Sequence, residues 1–78
     1  MSIKVLLVDD EYLALNLMEE YIKQLEDFII VDKVKQPLKA IEILQNQEID
    51  ILFLDIQMPL LSGTNLLKVI KNPPLTIF

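Results

Sequence analysis

Short apolar runs that end abruptly on carboxylates constrain this chain most. Ile3 to Val8 is an almost unbroken β-branched and leucine segment that stops at Asp9-Asp10, and Ile51-Leu52-Phe53-Leu54 stops in the same way at Asp55. Near-continuous runs of this kind suit strands buried on both faces, as in parallel sheets. Between them the hydrophobic period changes. From Glu11 to about Leu25, Asn16, Glu19, Glu20 and Lys23 recur at helical spacing as a polar face, and Ala14, Met18, Tyr21, Ile22 and Leu25 oppose them as the expected sheet-facing stripe. Asp9 or Asp10 is the expected cap of that helix. Phe28 to Val31 reads as a second strand. Gln36-Pro37 opens a second helix, with Ala40, Ile41 and Leu44 inward and Lys39, Glu42 and Gln45 outward. Thr64 to Lys71 reads as a third helix closed by Asn72-Pro73-Pro74, and Leu75 to Phe78 as a fourth strand.

Strand and helix therefore alternate throughout, which predicts βαβ crossovers and an open α/β parallel sheet, β1-α1-β2-α2-β3-α3-β4. A sheet that stops within a buried apolar strand is expected to be incomplete, so residues 1–78 read as the N-terminal part of one domain, cut in or after its fourth strand.

The residue inventory removes several functions. The 78 residues contain no Cys and no His, which excludes thiolate zinc sites, imidazole bases and the usual nucleophilic triads. A net charge of −5 argues against nucleic acid or anionic membrane bound through a basic patch. No apolar run approaches the ~18 residues of a membrane span, and the start lacks the apolar stretch of a signal peptide, so a cytoplasmic chain is expected. A single glycine, Gly63, leaves no room for a dinucleotide fingerprint or a P-loop.

In open α/β sheets ligands bind beyond the carboxyl ends of the strands. Were the first and third strands neighbours, at ~4.8 Å spacing, Asp9, Asp10, Glu11 and Asp55 would converge on one rim. Like charges gathered so closely raise one another's pKa or recruit a cation. Oxygen donors alone point to a hard one, Mg²⁺ or Mn²⁺ before Ca²⁺. The plainer reading is that an acid at a strand-to-helix junction is only a helix cap; two such junctions, one with a doubled acid, weigh against it. A phosphatase of the haloacid dehalogenase type would also place an aspartate nucleophile after a strand, and only Asp9-Asp10-Glu11 offers its acid pair here.

Lys4 to Glu11, then Asp50 to Pro59 and Gly63, resemble the receiver domain of two-component response regulators, in wording and in the interval between the acidic pair and the single acid. Phe53 to Pro59, Asp9 to Tyr12 and Leu75 to Phe78 are most similar to receivers attached to LytTR-type DNA-binding domains. The resemblance implies a flavodoxin-like fold and assigns Asp55 as phosphoacceptor, taking its phosphoryl group from a sensor histidine kinase. It implies Mg²⁺ held by Asp9, Asp10, Asp55 and the backbone carbonyl of Gln57, and DNA contacted only through a separate output domain. Self-phosphorylation and autodephosphorylation would be its only chemistry, short of a turnover enzyme. The family's switch Ser or Thr and its later Lys have no counterpart among these residues. A different reading makes the chain a non-catalytic interaction module that pairs or swaps its open sheet edge with a second copy. A pseudo-receiver that binds metal without turnover is disfavoured by the presence of all three expected acids. Met58 and Pro59 read as packing and loop stiffening, Gly63 as a backbone need at a loop-to-helix junction, and Leu60 and Leu61 as candidate partner contacts.

Overall fold

The computed structural model describes residues 2–54 and 74–77. Among these residues four strands form one parallel sheet in the order β2-β1-β3-β4: β1 Ile3–Val8, β2 Phe28–Val34, β3 Ile51–Leu54 and β4 Leu75–Ile77. Among them, too, are two helices, α1 Tyr12–Ile22 between β1 and β2 and α2 Pro37–Asn46 between β2 and β3. The expected third helix, Thr64 to Lys71, lies outside the described residues.

The chain steps from β1 to β2 on one side, then crosses back through α2 to place β3 on the other side of β1. That reversal makes the gap between β1 and β3 the switch point of the sheet, where α/β folds form their crevice. The central strand explains its own sequence. Val5, Leu6, Leu7 and Val8 are all fully buried because both faces of β1 are covered. Val5 and Leu7 pack with Leu15 and Ile22 of α1, whereas Leu6 and Val8 pack with Ala40 and Ile43 of α2 and with Leu52 and Leu54.

The helices differ from the sequence expectation in rotation and length. α1 buries Leu15 and Ile22, with Met18 partly buried between them, and leaves Tyr21 64% exposed. The stripe is thus 15-18-22, and the half-buried Asn16 and Glu19 face Lys33 on β2 rather than open solvent. Leu25 falls past the helix and is exposed: its N–H donates to Ile22 O and its carbonyl accepts from Phe28 N–H, so turns replace the last helical residues. In α2 the inward positions are Ala40, as expected, and Ile43, with Ile41 and Leu44 only partly buried beside them.

β2 is longer than its apolar run. It extends through Asp32 and Lys33 to Val34, with a one-residue irregularity: Val5 pairs with Ile30 but Leu6 pairs with Asp32, so Val31 is skipped. A bulge of this kind shifts the alternation of all later residues by one.

Candidate functional site at the carboxyl rim of the sheet

The register brings the two acid-terminated strands side by side. Val5, Leu6, Leu7 and Val8 pair with Ile51, Leu52, Phe53 and Leu54, so Val8 and Leu54 form the last rung. Asp9 follows Val8 directly in sequence and Asp55 follows Leu54. Asp55 and Gln57, like Met58 to Leu61 and Gly63, lie outside the described residues.

Among the described residues of the rim Asp9 is the best fixed. Its N–H donates to Val34 O at 3.1 Å, which continues the β1–β2 ladder by one bond. Its Oδ1 accepts the N–H of Glu11 at 2.9 Å, closing a tight turn immediately before α1. Asp9 is half-buried, whereas Asp10 and Glu11 are exposed. The capping expectation is modified accordingly. Glu11 occupies the N-cap position and makes no side-chain cap bond, and the Asp9 carboxylate satisfies a donor one step ahead of the helix. Among the described residues no group of three or more carboxylates stands together as a metal cage.

These donors nevertheless suit a hard cation of low protein coordination. Asp10 and Glu11 face solvent next to an anchored Asp9, and Mg²⁺ binds through one or two carboxylates while keeping several waters.

Behind the rim, a polar bridge ties α1 to the edge strand. Lys33 Nζ lies 2.9 Å from Glu19 Oε1 and 3.4 Å from Asn16 Oδ1. The hydrogen bond from Lys33 holds the Glu19 carboxyl below its usual range, and its acceptance by Glu19 raises the Lys33 ammonium above its own. Lys35 stands over the Tyr12 ring, with Nζ 5.3 Å from the centroid, so the residue that follows the acidic triplet is held by a cation just past the carboxyl end of β2. Neither Lys33 nor Lys35 stands out in the sequence, because their places depend on the skipped Val31. The one available signal is the recurrence of lysine at 33, 35 and 39 around the start of α2.

The sequence is similar to several known proteins. The chain is 38% identical to a protein-glutamate methylesterase/protein-glutamine glutaminase of Methylobacillus flagellatus, over 87% of this chain and 19% of that protein. It is 37% identical to the sensory transduction protein LytT of Bacillus anthracis, over 97% of this chain and 32% of LytT. It is 36% identical to stress response regulator protein 1 of Debaryomyces hansenii, over 85% of this chain and 27% of that protein. The chain thus spans between about a fifth and a third of the length of these relatives. Among the described residues no helix is long and apolar enough to cross a membrane. Residues 5–77 match the response regulator receiver domain, the sheet order and the acid-ended central strand agree with it, and the chain belongs to that family.

Proposed function

We propose that this receiver takes a phosphoryl group onto Asp55 from a sensor histidine kinase, with Mg²⁺ held by Asp9, Asp10, Asp55 and the carbonyl of Gln57. The pairing of Val8 with Leu54 carries the reading, because it makes the strand ends that precede Asp9 and Asp55 adjacent. Phosphoryl transfer is chiefly positioning and charge neutralisation, and a bound Mg²⁺ supplies the positive charge that lets an anionic donor approach an acidic rim. The chain itself contributes a carboxylate nucleophile, an anchored Asp9 and an exposed Asp10. Its lack of histidine accords with an imidazole donor that belongs to the kinase. The regulated output belongs to the parent protein, and DNA contact through an output domain is part of the same proposal.

The full-length parent, given Mg²⁺ and radiolabelled acetyl phosphate, is expected to gain one acid-stable, alkali-labile phosphoryl group. Label that persists in Asp55→Asn would sink the assignment.

A second reading, association through the sheet, has one observation in its favour. β4 is an edge strand among the described residues, and Leu75 and Ile77 are 66% and 42% exposed on it. Light scattering after size exclusion separates the two: a monomer at high protein concentration removes the second reading and leaves the first untouched.

A further inference from the structure

The described surface carries a charge asymmetry that the phosphoacceptor reading does not use. A groove of about 290 Å³ at the carboxyl end of β2 is lined by Asp32, Lys33, Val34, Lys35, Gln36 and Lys39. Three of the five lysines and one of the eleven acids among the described residues lie there, so the groove bears +2 while the two lysines and ten acids described elsewhere bear −8. Lys33 is already paired with Glu19. Lys35 and Lys39 are exposed and have no ion pair among the described residues, so they are the charges offered to a partner.

The groove adjoins the acidic rim. Val34 lines it and accepts the Asp9 N–H, and Lys35 reaches across to Tyr12. Its edge is a poor template for strand addition, since the Val31 irregularity and the charged Asp32 and Lys33 interrupt β2. A side-chain-recognising, electrostatic partner fits better than an added strand. An anionic protein brought to this rim meets Asp9, Asp10 and Glu11 first, and a positive groove beside them offsets that repulsion and orients the encounter.

We propose that the groove bounded by Lys35 and Lys39 is a docking surface for an acidic segment of the protein that approaches the rim. The proposal rests on the phosphoacceptor reading only in taking that protein to be the phosphodonor.

The test uses the full-length parent and a fluorescein-labelled oligoglutamate peptide, read by anisotropy at low ionic strength. Saturable binding is expected, weakened at least ~10-fold in Lys35→Glu/Lys39→Glu and less in Lys35→Gln/Lys39→Gln. The loss should shrink as salt is raised and screens the exposed charges. Lys4→Glu/Lys23→Glu makes the same change in net charge elsewhere and should stay within ~2-fold of wild type. No binding by the wild type, or equal losses in the two glutamate variants, overturns the proposal. Labelling by acetyl phosphate is read in parallel. Peptide binding without any label would remove the phosphoacceptor reading and keep the groove, and normal label without peptide binding would do the reverse.

Discussion

Lys33 Nζ lies 2.9 Å from Glu19 Oε1 and joins the edge strand of the sheet to the helix that leaves the acidic rim. The contact exists because β1 skips Val31: Lys33 then pairs with Leu7, whose side chain packs on the α1 side of the sheet. In an unbroken ladder Lys33 would pair with Val8 and face the α2 side, in the place that Val34 now takes beside Ala40. One extra residue thus decides whether a lysine enters an apolar core or reaches a carboxylate.

This pair should leave a pH signature. Glu19 titrates below its ordinary 4.5 in the folded chain, so its contribution is present above that value and is lost as pH falls through the lowered one. Lys33 titrates above its ordinary 10.5, so its contribution is present below that value and is lost as pH rises through the raised one. The urea midpoint of the wild type should exceed that of Lys33→Met by a steady margin between those limits, and the margin should shrink beyond each. A margin independent of pH across both limits would show that the lysine acts by packing alone.

Deleting Val31 should be better tolerated than deleting Lys33, two positions later. Without Val31 the ladder runs Ile30, Asp32, Lys33, Val34 against Val5, Leu6, Leu7, Val8 with every pairing kept. The loss is a half-buried valine, about 1–2 kcal/mol. Deleting Lys33 instead leaves Val34 to pair with Leu7 and turns it away from the α2-side cluster it now fills. Urea unfolding followed by circular dichroism reads both, and equal destabilisation by the two deletions would mean that the skipped residue does not set the frame.

Much of this was legible in the residues. The buried runs at Ile3–Val8 and Ile51–Leu54, their acidic ends and the helical periods between them specified the alternation and the parallel sheet. The strands' adjacency, posed as a condition, is met by Val8 and Leu54. The rotation of α1 was not legible, because Leu15 and Tyr21 are both acceptable at helical spacing and only the sheet's shape selects Leu15. The true end of β2 escaped for a related reason. Asp32 and Lys33 look like a loop until Glu19 supplies a partner for the lysine. The assigned roles of Asp55 and Gln57 rest on motif and spacing.

Truncating the core should separate buried from exposed leucines sharply. Leu6 is fully buried in the central strand, and Leu6→Ala should cost ~2–5 kcal/mol, including the cavity left behind. Leu38 is 77% exposed on α2, and Leu38→Ala should stay within ~0.5 kcal/mol. Both are read as shifts in urea midpoint at constant slope. A comparable loss at Leu38 would mean that another element covers it.

The rim's metal preference gives the most direct test of its chemistry. Asp10 is exposed beside an Asp9 that the Glu11 N–H holds in place, so its carboxylate is free to meet a hydrated cation without rearranging the turn. Removing one unit charge from contact with a divalent ion should weaken Mg²⁺ binding at least ~10-fold in Asp10→Asn, as measured by isothermal titration. Glu48, exposed ahead of β3 and away from the strand ends, provides the matched control: Glu48→Gln removes the same charge and should bind as wild type. Mn²⁺ should broaden the amide resonances of Val8 to Glu11 before those of α2, because paramagnetic relaxation falls steeply with distance. Chelation with EDTA should stop labelling by acetyl phosphate, and added Mg²⁺ should restore it. Equal affinity in Asp10→Asn and wild type would remove Asp10 from the ligand set, and a matching loss in Glu48→Gln would reduce the effect to net charge.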